Sequence, residues 1–214
     1  MRPSSHTVVP WPSCASTWPR EATSRHRSVG CGIIPGVQLA IPTLDTERLT
    51  LRPFREGDVT ALFEMSQDPG VMRYVGDRTV PTRQDTWRWI AGWIGHWALR
   101  GYGQWAIEER NSGRLIGRAG IINPADWPGP EVGYLLGRAW WGRGYATEAA
   151  RAAMDWGFEQ VGFGDLLSLI DPANQPSIAV ATRLGESLRG ETDLLGNVVL
   201  IYGIGRVEWE ARHR

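Results

Sequence analysis

Lysine is absent: all 23 basic residues of the 214-residue chain are arginine. That removes every mechanism built on a lysine amine, the Schiff base and the Walker-type phosphate lysine included. Cysteine is scarce. Cys14 and Cys31 both fall in the first 40 residues, and of four histidines only His96 lies between position 27 and the last two residues. A Cys/His zinc centre, a cysteine nucleophile and a Ser-His-Asp triad therefore lack their parts, unless His96 alone served as base. Net charge is zero and the isoelectric point about 6.9, so no global field draws the chain to nucleic acid or an anionic membrane. No apolar run approaches the roughly 20 residues needed to cross a bilayer. The expectation is a soluble, cytoplasmic protein with no metal, no nucleic-acid partner and no membrane partner. A mass of 23.8 kDa suits one well-buried domain.

What is present divides into two parts. Residues 1–40 hold five of the 14 prolines, much Ser and Thr, and four arginines against one glutamate. They show neither helical nor strand periodicity and too little apolar content to offset the ordering of the chain. This segment is expected to be a disordered extension. Its Arg- and Ser-rich, acid-poor composition matches a transit peptide or a translation start placed too far upstream. If the start is misplaced, peptides of the native protein begin at or after Ile41.

Residues 41–214 read as one folded domain. Alternation through Leu49 and Leu51, closed by Pro53, predicts a strand, and Asp58 is placed to cap a helix carrying Val59, Leu62 and Phe63. A second helix is expected over 82–99, capped by Thr82, with Trp89, Trp93 and Trp97 one turn apart. Core packing is one explanation of that stripe; a wall of a substrate pocket or a dimer face is the other. Segments 104–108 and 114–122 flank the turn residues Asn111, Ser112 and Gly113 and form a hairpin. Strands are expected at 131–136, 165–170 and 197–207, and helices at 147–161 and 174–184. The result is an α+β domain on a mixed sheet.

The chemistry concentrates in Trp140-Trp141-Gly142-Arg143-Gly144-Tyr145-Ala146-Thr147-Glu148-Ala149. Glycines between a strand and a helix start leave successive N–H groups open, at the positive end of the helix dipole, for an anion such as phosphate. Gly142 and Gly144 let the backbone curl without a Cβ in the way, and Arg143 adds charge. A dinucleotide fingerprint fails, because the third glycine is missing and the preceding strands form an antiparallel hairpin.

Four segments together resemble the GNAT acetyltransferase superfamily, and within it the RimJ/RimL-type branch. They are Thr46-Glu47-Arg48-Leu49-Thr50-Leu51-Arg52-Pro53; Asp68-Pro69-Gly70-Val71-Met72-Arg73-Tyr74; the glycine loop from Trp141 to Ala149; and Asn174-Gln175-Pro176-Ser177 followed by Arg183-Leu184-Gly185. The resemblance implies a mostly antiparallel twisted sheet whose central strands splay to form an acetyl-CoA cleft, with acetyl-CoA as donor and no metal. Trp141, Gly144 and Ala146 take the first, fourth and sixth places of the pyrophosphate loop, and the amides of Gly142, Arg143, Gly144, Tyr145, Ala146 and Thr147 face the phosphates. Trp in the first place departs from the superfamily pattern but is usual in this branch. The strand ending at Leu136 would pair with pantetheine, and an N–H near Leu136 would meet the developing oxyanion. Asn174 matches a position that holds the pantetheine arm or the helix start.

Ser177 matches the position proposed in some relatives to protonate the leaving thiolate; a hydroxyl in a first helical turn also satisfies a free N–H. Glu131 opens the splayed strand, where a carboxylate could accept a proton from an ammonium, or could be a solvated strand end. Arg138 stands where relatives often have Pro, and Glu186 replaces an apolar residue, which puts strand packing there in question. The implied reaction is direct transfer to a primary amine, on a protein N-terminus or a small molecule, through a tetrahedral intermediate, by a monomer or homodimer. An antibiotic amine is one such acceptor, and Arg189, Glu191 and Asp193 in the hairpin 187–197 leave a cationic acceptor open. The alternative is a non-catalytic acetyl-CoA sensor with the same fold.

Overall fold

The computed structural model describes residues 40–213, so the expectations for the N-terminal extension lie outside the described residues. Among the described residues eight strands form one sheet in the order β1-β2-β3-β4-β5-β6-β8-β7. They are β1 (Leu44–Asp45), β2 (Leu49–Arg52), β3 (Gln104–Glu109), β4 (Arg114–Ile122), β5 (Glu131–Leu136), β6 (Asp165–Ile170), β7 (Ser187–Leu194) and β8 (Asn197–Gly205). Only β5 and β6 run parallel; every other neighbouring pair is antiparallel.

Helices α1 (Asp58–Ser66), α2 (Pro69–Met72) and α3 (Arg83–Arg100) precede β3. Helix α4 (Tyr145–Trp156), extended by a π turn over Gly157–Val161, connects β5 to β6, α5 (Gln175–Leu184) follows β6, and α6 (Arg206–His213) follows β8. Thr82 caps α3 as expected, in a reciprocal capping box with Asp85, and Gly101 ends the helix in a left-handed conformation. Asp58 does not cap α1. It is the first helical residue, and its carboxylate accepts instead from the Arg55 N–H and from the Arg52 guanidinium at 2.8 and 2.9 Å. Arg52 and Asp58 are both buried, so this strong pair outcompetes the cap. Strand β7, one arm of the 187–197 hairpin, and helix α6, whose first two residues replace the expected end of the last strand, complete the element order.

Alternation along the strands builds two cores. Leu49, Leu51, Trp105, Ile107, Ile121, Val132 and Leu166 join Ala149, Ala153 and Met154 of α4 and Val180 and Leu184 of α5. On the opposite face Ala106 and Leu135 meet Phe54, Leu62, Met72 and Ile90 from α1–α3 and their approaches. The tryptophan stripe is divided between them. Trp97 lies in the first core and donates to the Gln104 carbonyl, while Trp93 packs on Phe54 in the second. The strand after Glu186 does form: β7 pairs with β8 from Ser187 onward, with a bulge between Leu188 and Gly190.

Candidate active site

The centre of the sheet is open. Strand β5 pairs with β6 at a single position, Glu131 with Leu167, and then departs. On its other side β5 stays paired with β4 along its whole length. The Gly137 N–H bonds the Ile116 carbonyl, which fixes the phase: odd-numbered residues of β5 direct N–H and C=O to β4, even-numbered ones away from it. The Tyr134 N–H and C=O and the Leu136 N–H therefore face the opening and have no strand partner there. The Leu136 carbonyl accepts the Trp141 indole N–H at 2.8 Å, so the first residue of the glycine loop is tied to the end of the strand it follows.

At the mouth of the opening Gly142 and Gly144 both have positive φ, 73° and 81°, which strains any residue with a Cβ. Gly144 is the N-cap of α4 and has no side chain to satisfy the first turn; the first backbone bond of the helix runs from Glu148 N–H to the Gly144 carbonyl. The amides of Tyr145, Ala146 and Thr147 are thus left without helical acceptors at the positive end of the dipole. Arg143 places its guanidinium over the Trp140 ring. Tyr145 is buried beneath the Arg48 guanidinium, 4.7 Å from its ring centroid.

Two struts hold the loop. Glu148 accepts from the Thr46 hydroxyl at 2.6 Å, from the Arg48 N–H at 2.9 Å and from Arg48 Nε at 2.7 Å, while Arg48 Nη1 reaches the Arg143 carbonyl at 2.9 Å. On the other flank Arg138 pairs with Asp68, the N-cap of α2. Tyr74 and Arg78, which follow α2, bond the Ala173 carbonyl and Asp171 ahead of α5.

Asn174 is the N-cap of α5 and accepts the Ser177 N–H at 3.3 Å, the helix-start arrangement among its two expected roles. The Ser177 hydroxyl is thereby free of capping, and it hydrogen-bonds the Tyr134 phenol. Tyr134 lies on the α4 side of β5, since its register partner Ala119 belongs to that core. Burial pushes its phenol up to about 12, with the Ser177 hydroxyl pulling the other way. Glu131 lies on the opposite face of the same strand and receives the Trp127 indole N–H at 2.6 Å. Burial raises its carboxyl to about 7, against the opposing pull of Trp127, Arg118 and the Leu169 N–H. The structure thus collects the loop residues, Leu136 and Trp141 at one end of the opening, with Ser177 and Glu131 on opposite faces of β5.

Three nearby side chains escaped the sequence reading. Tyr134, Arg118 and Gln104 occupy strand positions that read as ordinary alternation, and only the charge of Arg118 in an apolar stretch marked it.

The comparisons agree with this geometry. Residues 48–186 match the model of the acetyltransferase (GNAT) domain. The chain belongs to the GNAT acetyltransferase family. This GNAT enzyme is 37% identical over 150 residues to YkkB of Bacillus subtilis, an alignment covering 66% of this chain and 83% of that protein. It is similar to the crystal structure of an acetyltransferase from Agrobacterium tumefaciens, at 34% identity and TM-score 0.69, over 79% of this chain and 97% of the other. A RimL structure, a ribosomal L7/L12 alpha-N-protein acetyltransferase in complex with coenzyme A, shares the fold at 22% identity and TM-score 0.64, over 77% of this chain and 98% of the other. GNAT enzymes use acetyl-CoA, and the residues here fit it: the open amides of α4 suit a pyrophosphate, and the free edge of β5 suits an extended amide-bearing arm.

Proposed function

We propose that this GNAT enzyme is an acetyl-CoA-dependent N-acetyltransferase of RimJ/RimL type that passes the acetyl group directly to a primary amine. The observation that carries the reading is the single β5–β6 pairing, which leaves the Tyr134 and Leu136 backbone groups exposed beside the open amides of α4. The amides of Gly142 through Thr147 hold the pyrophosphate, the Tyr134 backbone pairs with pantetheine, and Asn174 fixes the start of α5 alongside.

Acetyl-CoA supplies the acetyl group as a thioester. Glu131, whose carboxyl sits near 7, is basic enough to take a proton from the acceptor ammonium. The Leu136 N–H, free of strand partners, donates to the carbonyl oxygen as negative charge develops there. Ser177, backed by Tyr134, returns a proton to the departing sulfur. Positioning supplies much of the remaining acceleration.

The test is thiol release from acetyl-CoA over a panel of amino acids, N-terminal peptides, polyamines and aminoglycosides. Transfer to one amine class, lost in Glu131→Gln, is the expected result. Acetyl-CoA binding without turnover on every amine would instead support a sensor of the same fold.

A further inference from the structure

On the α1–α3 face of the sheet a buried amide N–H has no acceptor, and the guanidinium beside it has no carboxylate counter-ion. Gln104 is 1% exposed; its Oε1 accepts from Arg118 Nη1 at 3.1 Å and its Nε2 has no partner. Flipping the amide offers no relief, because a guanidinium only donates and must face the oxygen. Arg118 in turn lies over the Trp93 ring at 5.0 Å, and no carboxylate among the described residues forms an ion pair with it. Burial pulls its guanidinium down to about 10, partly countered by Glu131.

The two donors flank a gap. A Cβ added at Gly133 would stand 3.6 Å from Gln104 Nε2 and 3.8 Å from Arg118 Nη1, so the missing side chain leaves room between them. By register Gln104 faces Gly120 and Gly120 faces Gly133, a row on the same face as Arg118 and Glu131. Glu131 is two residues from Gly133, roughly 7 Å along the strand. A buried amide N–H without an acceptor, beside a half-buried guanidinium without a counter-ion, is costly unless a ligand completes the pair.

We infer that Arg118 and Gln104 form a carboxylate subsite of the acceptor pocket, and that the acceptor is a free amino acid or a similar amine bearing a carboxylate near its amino group. This rests on the acetyltransferase reading of the cleft. The planar guanidinium fork matches a carboxylate, and Arg118 beside Glu131 presents one positive and one negative group to a zwitterion's carboxylate and ammonium. A phosphate dianion would bring excess negative charge to Glu131. A polyamine or aminoglycoside would set cations against Arg118, and a peptide N-terminus carries an amide where the subsite offers a counter-charge.

The experiment titrates the common L-amino acids, each paired with its C-terminal amide, into the coenzyme A-loaded protein by calorimetry. At least one acid is expected to bind about tenfold or more tighter than its amide. Arg118→Met and Gly133→Ala should each cut that ratio to below about threefold, the latter by filling the gap at ordinary contact distance and so without threat to folding. Acids that do not bind, amides that bind as well, or a ratio that survives both substitutions would overturn the inference. Acetyl-CoA binding and transfer to other amines would then still stand, whereas absence of acetyl-CoA binding would strike the underlying reading instead.

Discussion

Arg48 and Glu148, 100 residues apart, are locked together at the base of the glycine loop: the guanidinium reaches one carboxylate oxygen at 2.6 and 2.7 Å while the Arg48 N–H takes the other at 2.9 Å. The same arginine holds the Arg143 carbonyl and covers Tyr145. Two sequence markers far apart in the chain are thus one mechanical unit that fixes the loop.

Arg48→Met should raise the KM for acetyl-CoA about tenfold with a smaller change in kcat, because the loop loses its shape and the reacting groups do not. Arg48 is 40% exposed, so its loss from the ion pair costs only about 1 kcal/mol of stability. Steady-state kinetics beside thermal melts check this. An unchanged KM would show that the loop holds itself.

The pH dependence should follow Glu131. With its carboxyl near 7, the base is protonated below that pH, so kcat/KM of the free enzyme rises through about 7 and then levels. Glu131→Gln should lose this limb and about 10²–10⁴-fold in rate. A pH–rate profile that keeps its limb in the variant would remove Glu131 from the role of base.

Glu186 lies on the α4 side, 5% exposed, with one oxygen accepting the Ser168 hydroxyl and the other without a partner. Burial lifts its carboxyl from 4.5 to about 7. The folded protein retains a proton that the unfolded chain releases between those values. Stability present below about 4.5 is therefore lost as pH rises through 7. Glu186→Gln keeps the volume and an acceptor for Ser168, so at pH 8 it should stabilise the fold by on the order of 2 kcal/mol and flatten the dependence. Denaturant unfolding of both proteins at pH 5 and pH 8 gives the comparison; equal slopes would contradict it.

Ser177→Ala and Tyr134→Phe should each lower kcat by about tenfold while leaving the acetyl-CoA KM nearly unchanged, a modest loss because a thiolate leaves readily. The double variant should be little worse than either single one, since the hydroxyls are hydrogen-bonded to each other and act as a unit. Additive losses would mean independent roles.

Much of this architecture is legible in the chain. The bounds of β4, β5 and β6 follow from local alternation, and the loop with Gly142 and Gly144 announces an open helix start. The splay that makes the cleft follows from the family resemblance and from no local pattern. Whether β5 pairs with β6 once or along its length depends on α4 carrying the chain across the sheet and on α5 returning beside it, a tertiary relation with no local signature. Strand β7 shows only as one arm of a hairpin because its residues are nearly all exposed, so neither face carries an apolar stripe to fix its bounds. Asp58 looked like a cap because a cap is a local bargain, and Arg52, on the far side of Pro53, outweighed it. Tyr134 is an aromatic in a strand, and Gln104 a polar residue at a strand's first position; only the groups opposite them give either one meaning.

The measurement that tests the central claim most directly is calorimetric titration of acetyl-CoA into the wild-type protein and into Gly144→Val, with circular dichroism to show that both are folded. The account predicts saturable one-site binding to the wild type, weakened at least about tenfold in the variant, because a β-branched residue at a φ of 81° distorts the helix start and its Cβ crowds Arg48 Nη2. Equal affinities, or no binding to the wild type, would contradict the assignment of the β5–β6 opening and the α4 amides as the acetyl-CoA site.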